Sequence, residues 1–334
     1  MTDDTFGPFL EVWKDGNAAR EILFQSRDFH DLIRFYDSFK DIETFEAFFK
    51  SRHKSVNRIV ESRGTENFPF VAVVPTADAY GILAQRFRRS FPELDTIFVE
   101  SKGWNFNFSH SMNVGISKAQ SFDKRWIILS NDDVSPISPI AKLAEEINSR
   151  RGGDWFRPLI STGKRSLASS WVISRLPERG LISKIWDFKS HDKAESASTY
   201  YLIKRYCERF TIDPFVAVQC TPFQSWTDRL VSTKRIRRIN PFLNCQPFAV
   251  FRSEILRDLL FDEDYVNACE DMDFSMRLAF NGHAGVQIDY ALETKGGASF
   301  GQTRTRWLRY GLSGRLLFAA KSRRLLNEIT MSSS

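Results

Sequence analysis

The chain moves between stretches whose apolar residues recur every three to four positions and short runs that are apolar throughout. Residues 1–66 follow the first pattern. Phe29, Leu32, Ile33 and Tyr36, then Ile42, Phe45 and Phe49, then Val56, Ile59 and Val60 keep a helical period. Charged residues fill the gaps, so each predicted helix buries one face. The segment reads as a helical extension packed on the main fold, with a partner-binding module as the alternative.

At Asn67 the texture changes. Phe68–Thr76 (FPFVAVVPT) is a dense β-branched and aromatic run, the signature of a strand buried on both faces. Tyr80, Leu83, Phe87 and Phe91 return to the helical period, and Thr96–Glu100 and Trp126–Leu129 are two more predicted strands. Ser138 and Pro139 form an N-cap and first-turn pair for a helix through Ile147. Strands alternating with helices predict an α/β fold of βαβ units around a mostly parallel sheet. Ligands of open α/β sheets bind beyond the carboxyl ends of the strands. Thr76, Asp78, Glu100, Asn131, Asp132 and Asp133 all fall at such ends.

Residues 151–240 have no clean period beyond a helical patch at Thr199–Phe210, and read as an insertion. Pro241–Phe251 is a predicted strand, Ser253–Leu260 a short helix, Glu270–Phe280 a longer helix closed by Asn281-Gly282, and Val286–Leu292 the last strand. The predicted organisation is a helical extension over 1–66, an α/β domain over 67–300 containing the insertion, and a tail over 301–334.

Composition narrows the field. The 334 residues are 42% hydrophobic and 26% charged, which excludes a disordered chain, a collagen-like repeat and a disulfide miniprotein. No run reaches the roughly 18–20 apolar residues of a membrane span, and the start MTDDTFGPF lacks the basic and apolar regions of a secretory signal. Cys207, Cys220, Cys245 and Cys269 show no metal or framework spacing and are expected to be buried, reduced thiols of a cytoplasmic protein. The net charge is +6, and residues 301–334 carry all of it, with seven basic residues against Glu328. A balanced body argues against a nucleic-acid partner.

Three segments carry candidate chemistry. In Trp126–Val134 (WIILSNDDV) a hydrophobic strand delivers adjacent carboxylates into a turn, where a hard divalent cation would relieve their repulsion. An Asx-type turn is the alternative. In Cys269–Leu278 (CEDMDFSMRL), Glu270, Asp271 and Asp273 open a helix, and Asp273 stands four residues before Arg277. That is a dipole-complementing, charge-paired helix start or a cluster supplying a general base. In Gly103–Gly115 (GWNFNFSHSMNVG), Asn105, Asn107 and Asn113 suit a loop that hydrogen-bonds a hydroxyl-rich ligand.

In this order and spacing the three segments resemble the GT-A glycosyltransferases of the family-2 type, near their bacterial rhamnosyltransferase-like branch. The likeness is carried by VAVVPTADAY, by Phe106–Ser109 with Asn113 and Gly115, by Asn131-Asp132-Asp133, and by Phe261-Asp262-Glu263 ahead of Glu270-Asp271-Met272-Asp273 with Arg277. Lys295–Gly301 (KGGASFG) completes it. It spans roughly Phe68–Gly301, weakly across 151–240.

The resemblance implies a Rossmann-like GT-A fold and an inverting transfer from a nucleotide-diphosphate sugar to a hydroxyl of a glycan or lipid-linked acceptor. It implies Asp133 as chief ligand of Mn²⁺ or Mg²⁺, with Glu293 as a second metal candidate because Thr294 replaces the family's late histidine. Thr76, Asp78, Glu100, Asn107, Asn113, Asn131 and Asp132 would hold the donor. Asp271 would be the base, with Glu270 and Asp273 orienting it, and the choice between Asp271 and Asp273 stays open. Two alternatives are a GT-A-like binding protein that has lost catalysis and a sugar nucleotidyltransferase, although Thr76–Gly81 lacks the latter's Gly-rich phosphate loop. In the tail, Trp307, Leu308, Leu312, Leu316, Leu317 and Phe318 interleave with arginines. That pattern fits a helix packed back on the domain, or one docking over residues 303–326 to an anionic inner membrane face where a lipid-linked acceptor would lie.

Overall fold

The computed structural model describes residues 29–103, 105–150, 152–161, 170–175, 202–213, 215–219, 242–294 and 307–332. Its strands are β1 (Arg58–Ser62), β2 (Phe70–Thr76), β3 (Asp95–Glu100), β4 (Trp126–Ser130), β5 (Val134–Pro136), β6 (Trp155–Ser161), β7 (Ser170–Arg175), β8 (Phe215–Gln219), β9 (Phe242–Leu243), β10 (Phe248–Arg252) and β11 (Gly285–Thr294). Its helices are α1 (Phe29–Asp37), α2 (Ile42–Ser51), α3 (Ile82–Ser90), α4 (Phe108–Ala119), α5 (Ile140–Ser149), α6 (residues 202–209), α7 (Ile255–Asp258), α8 (Glu270–Phe280) and α9 (Ser313–Ser332).

Eight strands form one sheet in the order β1-β3-β2-β4-β10-β6-β11-β5. β2, β3, β4, β6 and β11 run one way; β1, β5 and β10 oppose them. The α/β expectation with a predominantly parallel sheet is therefore met. β7, β8 and β9 make a separate three-stranded antiparallel sheet.

The apolar runs explain the layers. Every residue of β2 is buried, so alternate side chains serve opposite cores. Phe70, Ala72 and Val74 pack with Phe87 of α3 and Leu143 of α5. Val71 and Val73 pack with Met112 and Ile116 of α4 and with Phe274 and Leu278 of α8. Gly115 lets α4 lie close to the sheet, since a Cβ there would stand 2.3 Å from Val73 Cγ1.

A third core joins segments that the sequence treats as separate. Phe35, Tyr36, Phe45 and Phe49 of the N-terminal helices meet Tyr206 and Phe210, Met272 and Met276 of α8, and Leu312, Leu316, Leu317 and Phe318. Edge-to-face ring pairs such as Phe35–Phe39 (5.0 Å) and Phe39–Phe45 (5.0 Å) add about 0.5–1.5 kcal/mol each beyond burial. Asp37 ties α1 to Arg205 (2.9 Å) and to the Tyr206 hydroxyl (3.1 Å). Arg324 of α9 pairs with Glu46, and Lys321 with Asp262 and Asp264. Of the apolar residues expected to face a membrane, Leu312, Leu316, Leu317 and Phe318 are thus buried inside the protein. Among the described residues no helix is long and apolar enough to cross a membrane.

Other expectations are corrected in detail. Ile59 and Val60 lie in an antiparallel strand, not a helix, because Arg58–Ser62 pairs residue for residue with β3. Ser138 does not cap α5, which starts after Pro139 without a side-chain cap bond. The single strand expected over Pro241–Phe251 is two, Phe242–Leu243 and Phe248–Arg252, parted by a turn in which the Gln246 amide donates to Asn244 Oδ1 (3.0 Å). Cys207, Cys245 and Cys269 are buried and free as expected; Cys220 and Lys295–Gly301 lie outside the described residues.

Candidate active site

The carboxyl ends of β2 and β4 are joined by side chains. Thr76 Oγ1 donates to Asp132 Oδ2 at 2.8 Å. Burial, with the Asp133 charge adding to it, raises the Asp132 carboxyl above its ordinary value, and the Thr76 bond opposes the rise. The Asn131 amide donates to Pro247 O (2.9 Å), which fixes the 244–247 turn beside the end of β4. One residue earlier in that turn, Gln246 Nε2 is buried without a hydrogen-bond partner, and so is Asn131 Oδ1. Buried polar atoms without partners are rare in native folds and cost about 1–3 kcal/mol each.

The same turn reaches α8. Cys245 Sγ lies 3.7 Å from Asp271 O, and the Cys245 amide donates to Ser275 Oγ at 3.0 Å. Two residues of backbone therefore separate the contact with Asn131 from the contact with Asp271. Cys269, in the left-handed region at φ 70°, ends the preceding loop and starts the helix. Glu270 is only 8% exposed, and its Oε2 is buried without a hydrogen-bond partner. Burial, reinforced by Asp271, raises Glu270 well above the carboxylate range, and burial raises Asp271 as well. Burial raises Asp273 too, with the Arg277 charge opposing the rise, but its oxygens are engaged. It accepts from Arg277 Nε (2.7 Å) on one oxygen and from the Tyr265 hydroxyl (3.2 Å) on the other.

The structure does not bring every predicted donor residue to the cleft. Asn107 caps α4 through the His110 amide (2.8 Å), and its Nδ2 donates to the carbonyls of Glu263 (2.8 Å) and Tyr265 (3.1 Å). Asn113 exchanges bonds with the Phe261 backbone (2.9 Å each way) and donates to Glu263 Oε1 (2.9 Å). These two asparagines were expected to hold a ligand. Instead they brace the 261–269 loop, which Asn267 secures from its own side by accepting from the Phe108 amide (2.9 Å). Glu100 accepts from Arg58 (2.7 Å) and the Ala79 amide (3.0 Å), which draw it down to about 2. It fastens the turn after β2. Asp78 is exposed, and its Oδ1 accepts from the Tyr80 amide (2.9 Å).

For the expected metal, the donors at the end of β4 are the right kind. Asp133 is a buried carboxylate, and Asn131 Oδ1 is a buried oxygen with no hydrogen bond. Mg²⁺ and Mn²⁺ take such oxygens, often only one or two from protein with the rest from water and phosphate. Glu293, the second metal candidate, is exposed on β11 while its neighbour Thr294 is buried, because successive strand residues face opposite ways. Among the described residues no three His, Cys, Asp or Glu side chains converge.

Sequence reasoning missed Gln246 and Arg157. Arg157 of β6 is 1% exposed and close enough to Cys245 for the two to affect each other's ionisation; burial lowers its guanidinium to about 10. The signal for Arg157 was a lone arginine in WFRPLIS, an otherwise apolar run.

The chain matches no protein-family profile and no curated protein sequence. Among solved structures it is similar to S. aureus TarS 1-349 (13% identity, 68% of this chain and 60% of that one, TM-score 0.35). It is likewise similar to the same fragment in complex with UDP (13% identity, 68% and 58%, TM-score 0.30). A Leishmania major UDP-glucose pyrophosphorylase mutant in complex with UDP-glucose is more remote (9% identity, 80% and 71%, TM-score 0.22). The chain thus spans about 60% of the TarS fragment. At these scores the likeness assigns no activity, and the site rests on its own geometry.

Proposed function

We propose that the chain is an inverting glycosyltransferase of the GT-A type, moving a sugar from a nucleotide-diphosphate donor to a hydroxyl of a glycan or lipid-linked acceptor. One observation carries this reading. A carboxyl pair, buried Glu270 and half-buried Asp271, opens α8, and the Asp271 carbonyl meets Cys245 of the turn whose Pro247 carbonyl accepts from the Asn131 amide at the end of β4. An α/β crevice holding both a raised carboxylate and unbonded polar atoms has what a group transfer needs.

In this reading Asp271 takes the proton of the acceptor hydroxyl. The freed oxygen attacks the anomeric carbon, the bond from that carbon to the diphosphate oxygen breaks, and the nucleoside diphosphate leaves with the electron pair. A base whose pKa burial has raised accepts a proton more readily than an ordinary aspartate. Glu270, itself raised by burial and by the Asp271 charge, stands beside it, and Asp273 anchors the helix start through Arg277. Thr76 orients Asp132 toward the donor side. A divalent cation, held by Asp133 and Asn131, would stabilise charge on the departing diphosphate.

The test is a donor panel read by melting temperature with and without Mn²⁺, followed by transfer assays. A UDP-, GDP- or dTDP-sugar is expected to raise Tm, and more so with Mn²⁺. Asp133→Asn should remove the metal's share of that rise, whereas Glu293→Gln should leave it intact. No shift from any nucleotide sugar would overturn the reading, and binding without transfer would favour a protein that keeps the fold but not the reaction.

A further inference from the structure

At the opposite end of the sheet, the amino ends of the parallel strands border an open cavity of about 290 Å³. Arg125, Arg150 and Arg252 line it together with Trp126, Asn148 and Phe156. Its position follows from register: Trp126 opens β4, and Arg252, closing the antiparallel β10, is its direct cross-strand partner. Trp126 and Asn131 stand five residues apart on one extended segment, roughly 17 Å, so the cavity is separate from the crevice.

The charge around this cavity is one-sided. Among the described residues no carboxylate lies within ion-pair distance of Arg125 or Arg252, and Arg150 has only a loose contact with Glu146 (3.6 Å). Glu146 also accepts from the Asp289 amide (3.3 Å). Asp154 uses Oδ2 on the Ala284 amide (2.8 Å), and Asp289 pairs with Lys142 (3.5 Å). Two of the arginines are already oriented. Their guanidinium carbons lie 5.4 Å (Arg125) and 5.3 Å (Arg252) from the Trp126 ring, and Arg252 Nε donates to Gly153 O (3.3 Å). Stacked guanidinium forks lose little freedom on meeting an anion, and their paired N–H groups match phosphoryl oxygens.

We infer that this cavity is a binding site for a phosphoryl group, formed by Arg125, Arg150 and Arg252 and distinct from the crevice that ends at Asn131. The ligand class is a small phosphate-bearing anion, either inorganic or carried on a sugar.

The experiment is calorimetric titration of the full chain with pyrophosphate and with glucose 6-phosphate, at fixed ionic strength in chloride, with and without saturating UDP. Saturable binding of either probe, unaffected by UDP, is expected. Arg125→Gln combined with Arg252→Gln should weaken it at least tenfold, and Arg150→Gln alone about threefold. Arg150 is exposed, so its single variant reads the site even where the double variant folds poorly, and circular dichroism of each variant reports folding. Tighter binding of the sugar phosphate would mean that the cavity takes the sugar as well; tighter pyrophosphate would mean an inorganic ligand. Absence of saturable binding, equal binding by the arginine variants, or displacement by UDP would overturn the assignment.

Discussion

Asp273 and Arg277 form a 2.7 Å ion pair one turn apart on α8, with the second Asp273 oxygen taken by the Tyr265 hydroxyl. That pairing separates two carboxylates that the amino-acid sequence leaves equivalent. Asp273 has both oxygens engaged and is 3% exposed, so its charge holds the helix start. Asp271→Asn is expected to cut kcat by about 10²–10⁴ while leaving donor affinity near wild type and Tm no lower than wild type. Asp273→Asn is expected to cost stability, on the order of 1–3 kcal/mol, because Arg277 loses its charged partner. Denaturant unfolding alongside steady-state kinetics separates the two; a stable but inactive Asp273→Asn protein would reverse the assignment.

The Glu270–Asp271 pair also has a pH signature. Burial holds both carboxyls above their ordinary values, and the Asp271 charge adds to the rise at Glu270. The folded chain therefore keeps protons that the unfolded chain has released. This contribution to stability is fully present below the unfolded value, about 4.3 for a glutamate, and is lost as pH rises through the raised folded value. Glu270→Gln, which imitates the protonated side chain, should remove part of that slope. The Tm difference between variant and wild type is expected to move in favour of the variant as pH is raised from 4 to 8. A difference independent of pH would mean that Glu270 ionises like an exposed glutamate.

Much of the sheet was legible because its strands are buried on both faces. FPFVAVVPT and WIILS carry an unbroken apolar signal that no helix surface imitates. The α8 boundaries were equally plain, from acids at the start to Asn281 and a left-handed Gly282 at the end. β1 was not, because it is a half-exposed edge strand whose few apolar residues also fit a helix. The carboxylates of the site were visible as residues but not as partners. No local pattern shows that Asp273 meets Tyr265 or that Thr76 meets Asp132, since these contacts join separate elements. For the same reason Gln246 went unnoticed: only the pairing of β4 and β10 places it beside the end of β4.

Asn107 offers a sharp contrast between two roles. A donor-binding asparagine would change KM and leave stability alone. In the structure its side chain caps α4 and satisfies two loop carbonyls. Asn107→Ala removes a cap worth about 1 kcal/mol and strands buried acceptors at about 1–3 kcal/mol. Denaturant unfolding should therefore show a loss on the order of 2–4 kcal/mol, with KM for the donor nearly unchanged under conditions where the variant is folded. Unchanged stability with a raised KM would restore the ligand-binding role.

The C-terminal helix reads differently once its apolar residues are located. An amphipathic period states that one face is to be covered, not what covers it, and here the cover is α1, α2, α6 and α8. Gly314 brings α9 against the loop that leads into Glu270, since a Cβ at that position would stand 2.4 Å from Ala268 O, a backbone atom. Lys321 holds the same loop through Asp262 and Asp264. Two variants follow. Gly314→Val should force α9 away from Ala268, at a cost of about 1–3 kcal/mol, and should lower kcat by disturbing the start of α8. Deleting 313–334 should expose the faces of α1 and α2 and yield protein that binds a hydrophobic dye and is rapidly cleaved by protease. If the deleted protein instead keeps its Tm and loses only its sedimentation with anionic vesicles, the helix is a membrane contact and not part of the fold.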